Sequence, residues 1–360
     1  MQVTKIILYL LFFSSNCGVV FSAMDEEITP YKYTESERSR GLKYTIPASS
    51  RFTVTRFENS APDVIYYFSE PKENNYPIAI LCGGSSNKEN VQSIIHFHRY
   101  FLQEFLDMNV AVLTVEQWGV DGDHVDLPAF MEHYTRSQRL WDHITVLQYL
   151  KLYPPAGWNG KVIFLGVSEG GPLVTTLTEQ YSELTLATIN WVGAGDWSWR
   201  EELWRFVAEM KKQLPWWLKS WVKLCSLAPC WMHRYIPYMM ELPRCRKEYD
   251  ARMDQALEDP VVDKEFLGMS HMYHADALEY SLCNYTKLVT PFLVVVGTKD
   301  TILQSCDQFV MEATKAGCPI TYFRVDGMDH WIRKRPDIIA ASFQWLQVQI
   351  DEYNERNRQS

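Results

Sequence analysis

Residues 164–173 read FLGVSEGGPL: an apolar run, a serine between two glycines, then a helix-forming stretch. Few patterns confine a chain so closely. The turn Gly166-Val167-Ser168-Glu169-Gly170 must pass from a buried strand into a helix within a few residues. So tight a turn strains its central residue and crowds the positions two either side, which therefore need glycine. Gly171 lets the new helix approach the strand, and Pro172 fits the first helical turn, where no backbone donor is lost. A glycine turn with a capping serine is the plain alternative. The strand before and the helix after favour a nucleophile elbow, with the Ser168 hydroxyl exposed above the sheet edge.

The flanking sequence repeats the same rhythm. RFTVTRFE and DVIYYFSE alternate polar and apolar residues, as half-exposed antiparallel strands do, and YPIAILCGG is continuously apolar. Helical spacing over 89–107 precedes the strand VAVLTVEQW, and helical spacing over 133–152 precedes the strand KVIFLGV. PLVTTLTEQYS reads as a helix and LATINWVGAG as a strand. Near the end come TPFLVVVGTKD and PITYFRV as strands, then a helix over 335–356. Buried strands alternating with helices predict an α/β protein: a mostly parallel central sheet flanked by helices.

A serine hydroxyl needs a base to take its proton, and the base needs an orienting acid. Asp300 ends LVVVGTKD and His330 lies in VDGMDHW, each just beyond a late strand. Ser168, Asp300, His330 is the chain order expected of such a triad. Asp196, after the preceding strand, is an alternative acid, and Asp326 and Asp329 read as shaping the histidine loop. The oxyanion hole would come from backbone N–H groups: that of Glu169, and that of Gly84 or Ser85 in the loop CGGSSN.

With these motifs in place, the chain resembles the α/β-hydrolases over roughly residues 50–195 and 285–357. The Ser-x-Gly-Gly form is similar to the esterase and serine-aminopeptidase-like branches. The lipase-type His-Gly-Gly-Gly is absent, with Cys82 in the histidine's place. The resemblance implies an α/β-hydrolase fold, a carboxylic ester hydrolase working through an acyl-enzyme, and no cofactor. A peptidase, an acyltransferase or thioesterase, and a non-catalytic binding protein on the same fold remain open.

Between the two parts of this core, 24–195 and 285–360, residues 196–284 read as an inserted helical cap. Leu203, Phe206, Val207, Met210 and Leu214 fall on one helical face. Trp216 and Trp217 there, with Trp118 in the core, are candidates for lining a substrate pocket. Aromatic packing within the cap itself is the competing reading. From Trp197 to Glu248 ten Lys and Arg face five Glu, so basic residues among tryptophans could rest on an anionic lipid surface or hold an acidic substrate. Asp121, Asp123 and Asp126, with Glu169, could instead bind a substrate amino group, or serve as turn residues.

A net charge of −9 argues against a nucleic-acid partner, and the resemblance implies a small-molecule ester, lipid or peptide as substrate. His271, His274 and Asp276 form only a weak metal pattern, there is no HExxH, and no metal is expected. Residues 1–23 read as a secretory signal peptide, so a secreted, periplasmic or envelope location is expected; lipidation at Cys17 and an uncleaved anchor are the alternatives. Cys82, at a strand end, is the candidate for a free buried thiol, and Asn284-Tyr-Thr is a glycosylation sequon.

Overall fold

The structure, a computed structural model, describes residues 50–56, 61–193, 195–213, 243, 245–280 and 283–359. Strands β1 (Arg51–Val54), β2 (Val64–Ser69) and β3 (Tyr76–Cys82) come first, followed by helix α1 (Ile95–Asp107) and β4 (Ala111–Val115). A small ribbon, β5 (Val120–Asp121) with β6 (His124–Val125), leads to α2 (Leu127–His133) and α3 (Arg136–Leu152). Next are β7 (Trp158–Val167), α4 (Gly170–Gln180) and β8 (Thr185–Trp191). Then come α5 (Trp199–Gln213), α6 (Arg246–Glu258), the ribbon β9 (Glu265–Phe266) with β10 (Met269–Ser270), and α7 (His271–Glu279). The chain closes with β11 (Phe292–Gly297), α8 (Leu303–Lys315), β12 (Ile320–Val325) and α9 (Pro336–Gln359).

Eight strands form one sheet in the order β1-β2-β4-β3-β7-β8-β11-β12. Only β2 runs against its neighbours; the other pairs, from β4 to β12, are parallel. The continuous apolar strands supply both faces, because successive side chains point to opposite sides. Ala79, Leu81, Ile163 and Leu165 pack on one face with Phe101 and Phe105 of α1 and Phe343 and Leu346 of α9. Ile78, Ile80, Val162 and Phe164 pack on the other with Leu140 and Leu147 of α3 and Leu173 and Leu177 of α4. Cys82 is a fully buried free thiol, and burial pushes its pKa up to about 12.

Two helices differ from the sequence pattern. The expected helix over 89–107 starts only at Ile95, because the Asn87 side chain accepts from the backbone N–H groups of Glu89 and Asn90 and holds a turn there. The helix expected over 133–152 starts only at Arg136, and the separate helix α2 ends at His133. Thr135 interrupts the run, and its hydroxyl accepts from the Gln138 N–H at 3.0 Å to cap α3.

The chain divides into two compact units. The larger holds the sheet and takes the described residues of 35–85, 92–198 and 280–360; the smaller takes those of 86–91 and 199–279. In the smaller unit Leu203, Tyr249, Met253 and Phe266 form a core, with Trp199, Trp204 and Phe206 against it. His274 is used twice there: Trp199 Nε1 donates to its Nδ1 at 3.1 Å, and its Nε2 donates to the Phe266 carbonyl at 2.7 Å. His271 Nδ1 lies 3.3 Å from the Asp259 carbonyl. Among the described residues no cluster could hold a metal ion, and no helix is long and apolar enough to cross a membrane. Trp216, Trp217 and segment 1–23 lie outside the described residues.

Candidate active site

The parallel strands deliver their C-terminal ends to one edge of the sheet, where loops can gather side chains from distant parts of the chain. Ser168 follows β7 directly and has φ +53°, a left-handed conformation that a non-glycine residue adopts only when its surroundings hold it there. Two backbone bonds do so: Ser168 N–H donates to the Trp191 carbonyl at 2.9 Å, and Gly171 N–H donates to the Ser168 carbonyl at 2.8 Å. Gly170 sits so close to the end of β3 that a β-carbon on it would lie 2.1 Å from the Cys82 carbonyl oxygen. Glycine there is a matter of contact between two backbones.

His330 bridges the other two predicted residues. Its Nε2 is 2.9 Å from Ser168 Oγ, and its Nδ1 is 3.0 and 3.2 Å from the two Asp300 carboxylate oxygens. The Asp300 side chain is fully buried, whereas that of His330 is about a third exposed. Burial alone would lower the His330 pKa, but the charge of Asp300, its hydrogen bond and the nearby Asp329 outweigh it and raise the value. With Nδ1–H given to the carboxylate, the Nε2 lone pair faces the serine hydroxyl. Other buried histidines differ. Burial pushes His98 down to about 3 and His143 down to about 4, so both stay neutral within the fold.

Asp196 is not brought to the histidine. Its carboxylate accepts from the Tyr285 hydroxyl and from Gln308 Nε2. Asp329 lies in the histidine loop, where its carboxylate accepts from the Trp331 N–H and pairs with Lys334. Gly84 is against the serine: a β-carbon on it would be 3.4 Å from Ser168 Cβ and 3.9 Å from Oγ. Ser85, next along, is exposed.

Two of the candidate residues are engaged in packing or ion pairs. Trp118 is buried, stacked on the His133 ring at 3.7 Å, with the Arg56 guanidinium 3.8 Å from its ring centre. Glu169 does not face a substrate amino group. Its carboxylate is buried and is held by Arg139 at 2.9 Å, Arg136 at 3.3 Å and the Tyr134 hydroxyl at 2.7 Å. Asp121 is paired with Arg51, and Asp126 caps α2 by accepting from the Ala129 N–H.

Sequence reasoning missed that buried cluster, and it missed Glu116. Glu116 follows β4 directly and accepts from the Ser93 hydroxyl at 2.5 Å and the Ile94 N–H at 2.9 Å, tying the start of α1 to the sheet edge. Burial pushes its carboxyl up to about 7. A carboxylate at the end of the apolar run VAVLTVE was the available signal.

The strand order and the serine turn together decide the architecture. The larger unit has the α/β-hydrolase fold. Solved structures agree across most of the chain. A lipase in its open form superposes with a TM-score of 0.55 at 14% identity, covering 84% of this chain and 98% of its own. The proline iminopeptidase of Mycobacterium smegmatis gives 0.52 at 16% identity, covering 83% and 98%. A carboxylesterase of the thaumarchaeon Nitrososphaera gargenis gives 0.50 at 14% identity, covering 84% and 100%. At such identities the likeness is one of fold. No family model and no curated protein matches the sequence. In α/β-hydrolase terms, Ser168 occupies the elbow after the fifth strand of the large sheet in chain order, Asp300 follows the seventh and His330 follows the eighth.

Proposed function

We propose that this protein is a serine hydrolase that cleaves carboxylic esters. The observation that carries the reading is the continuous hydrogen-bonded line from Ser168 Oγ through His330 to buried Asp300, built on a strained elbow. His330 takes the Ser168 proton as Oγ attacks the ester carbonyl. The Glu169 N–H and an N–H of the Gly84–Ser85 segment hold the developing oxyanion, worth about 100- to 1000-fold in rate for one such donor. His330 then gives its proton to the departing alcohol. Water, deprotonated by the same imidazole, frees the acid from the acyl-serine and restores the hydroxyl.

An ester is favoured over an aminopeptidase substrate because three of the four carboxylates suited to an amino group are already engaged, Glu169 by two arginines, Asp121 by Arg51 and Asp126 by the start of α2, which leaves only exposed Asp123. The leader-like segment 1–23 supports action outside the cytosol. Turnover of p-nitrophenyl esters beside aminoacyl p-nitroanilides tests the reading. The expected result is a burst of one p-nitrophenol per Ser168, then steady hydrolysis, with the anilides far slower. Faster turnover of the anilides would overturn the ester assignment.

A further inference from the structure

The side chain after the nucleophile points away from the reacting serine and into a charged cluster beneath it. Arg139, on α3, makes two short contacts from one guanidinium. Its Nη1 donates to Glu169 Oε2 at 2.9 Å, and its Nη2 donates to the Gly83 carbonyl at 2.6 Å. The Arg139 and Glu169 side chains are nearly excluded from solvent, at 7% and 4% exposure. Arg136 and Tyr134 satisfy the rest of the Glu169 carboxylate.

These two anchor points are not arbitrary parts of the site. Glu169 carries one proposed oxyanion donor on its backbone. The Gly83 carbonyl belongs to the same peptide unit as the Gly84 N–H, the second candidate donor. A trans peptide is planar, so its C=O and N–H point in opposite directions. Fixing the carbonyl on Arg139 therefore fixes the N–H to point away from Arg139, and Gly84 is the residue lying against Ser168. A charged donor on the carbonyl also polarises the peptide, which strengthens the N–H as a donor.

We infer that Arg139 is a positioning residue that sets both halves of the oxyanion hole at once, holding the Gly83–Gly84 peptide and the Glu169 side chain with one planar fork. This rests on the serine-hydrolase reading and selects Gly84 over Ser85 as the second donor. Arg139 reaches the site through the Glu169 side chain and the Gly83 carbonyl, so its removal misaligns donors without deleting them. The cost falls on the transition state, where the oxyanion exists, and little on substrate binding.

The test is the split between kcat and KM on a p-nitrophenyl ester for the wild type, Arg139→Met, Arg139→Lys and the double variant Arg139→Gln with Glu169→Gln. The double variant removes the charges of Arg139 and Glu169 but leaves buried Arg136 without its carboxylate, so Arg139→Lys, which keeps every charge of the cluster, remains the measurable protein if the other variants fail to fold. Arg139→Met and the double variant are expected to lose about 10- to 100-fold in kcat, with KM within about threefold, less than the loss of a whole donor. Arg139→Lys restores the charge beside Glu169 but has no planar fork, so its melting temperature recovers more than its kcat. Wild-type kcat in any folded variant, Arg139→Lys included, or a loss confined to KM, would overturn the positioning role while leaving the triad standing. A wild type with no esterase activity and no reaction with a fluorophosphonate overturns both readings.

Discussion

Replacing Asp300 by Asn asks whether the carboxylate orients the base, and the geometry fixes what the amide would do. The Ile302 N–H donates to Oδ1 at 3.2 Å, so the amide oxygen takes that position. The amide NH2 then stands where Oδ2 was, 3.0 Å from His330 Nδ1. Nδ1 must accept rather than donate, which moves the ring proton to Nε2. The ring then presents a hydrogen, and no lone pair, to Ser168 Oγ 2.9 Å away. Such a tautomer reversal costs about 10,000-fold in kcat, or about 5.5 kcal/mol of transition-state stabilisation. The assay is ester kcat/KM across pH. In the wild type the raised His330 pKa means that activity falls as pH is lowered through a midpoint above about 6.5, because the protonated ring cannot act as base. The linked stability has the opposite sense: the charged His330–Asp300 pair stabilises the fold below the ordinary value and is lost as pH rises through the raised one. In Asp300→Asn the remaining activity should show its acid limb at lower pH, since the neighbouring charge is gone. Asp196→Asn should stay within about threefold of wild type, because that carboxylate serves Tyr285 and Gln308. Asp300→Asn activity within about tenfold of wild type, with an unmoved acid limb, would refute the reasoning.

Three further substitutions follow from the packing. Gly170→Ala places a methyl group 2.1 Å from the Cys82 carbonyl, so the elbow and β3 must separate; a melting curve should show a loss of about 1–3 kcal/mol, and ester kcat should drop with it. Arg56→Met leaves Asp142 buried without its bidentate partner at 2.8 and 2.9 Å and should cost about 3–5 kcal/mol in urea unfolding, whereas adding Asp142→Leu should recover most of it. Trp118→Ala should cost about 3–5 kcal/mol of stability yet leave the ester KM within about twofold, as expected of a packing residue; a large rise in KM at unchanged stability would return Trp118 to the substrate pocket.

The parts of the fold that were legible in the sequence are those written in local periodicity. β3 and β11 are uninterrupted apolar runs, and β4, β8 and the Val162–Gly166 part of β7 are mostly apolar and buried throughout, because both of their faces are covered, and that pattern survives without any knowledge of neighbours. Ser168 was legible because a turn of that kind constrains the residues beside it. Asp300 and His330 were legible because each stands just beyond a late strand. The Glu169 cluster was not, because its partners Arg136 and Arg139 lie 33 and 30 residues upstream on a helix whose polar positions read as a solvated face. Nor was the fate of Trp118 readable: a tryptophan beside aspartates looks the same in sequence whether it lines a pocket or supports Arg56. The breaks at Asn87 and Thr135 depended on single side-chain hydrogen bonds, which helical spacing does not register.

The proposed chemistry requires Ser168 to be an activated nucleophile. Its most direct measurement is reaction of the full chain with a fluorophosphonate probe, with the adduct located by peptide mass spectrometry, beside Ser168→Ala and His330→Ala. One adduct, on Ser168, is expected in the wild type and none in either variant. A folded wild type that stays unlabelled, or an adduct that persists in Ser168→Ala, would contradict it.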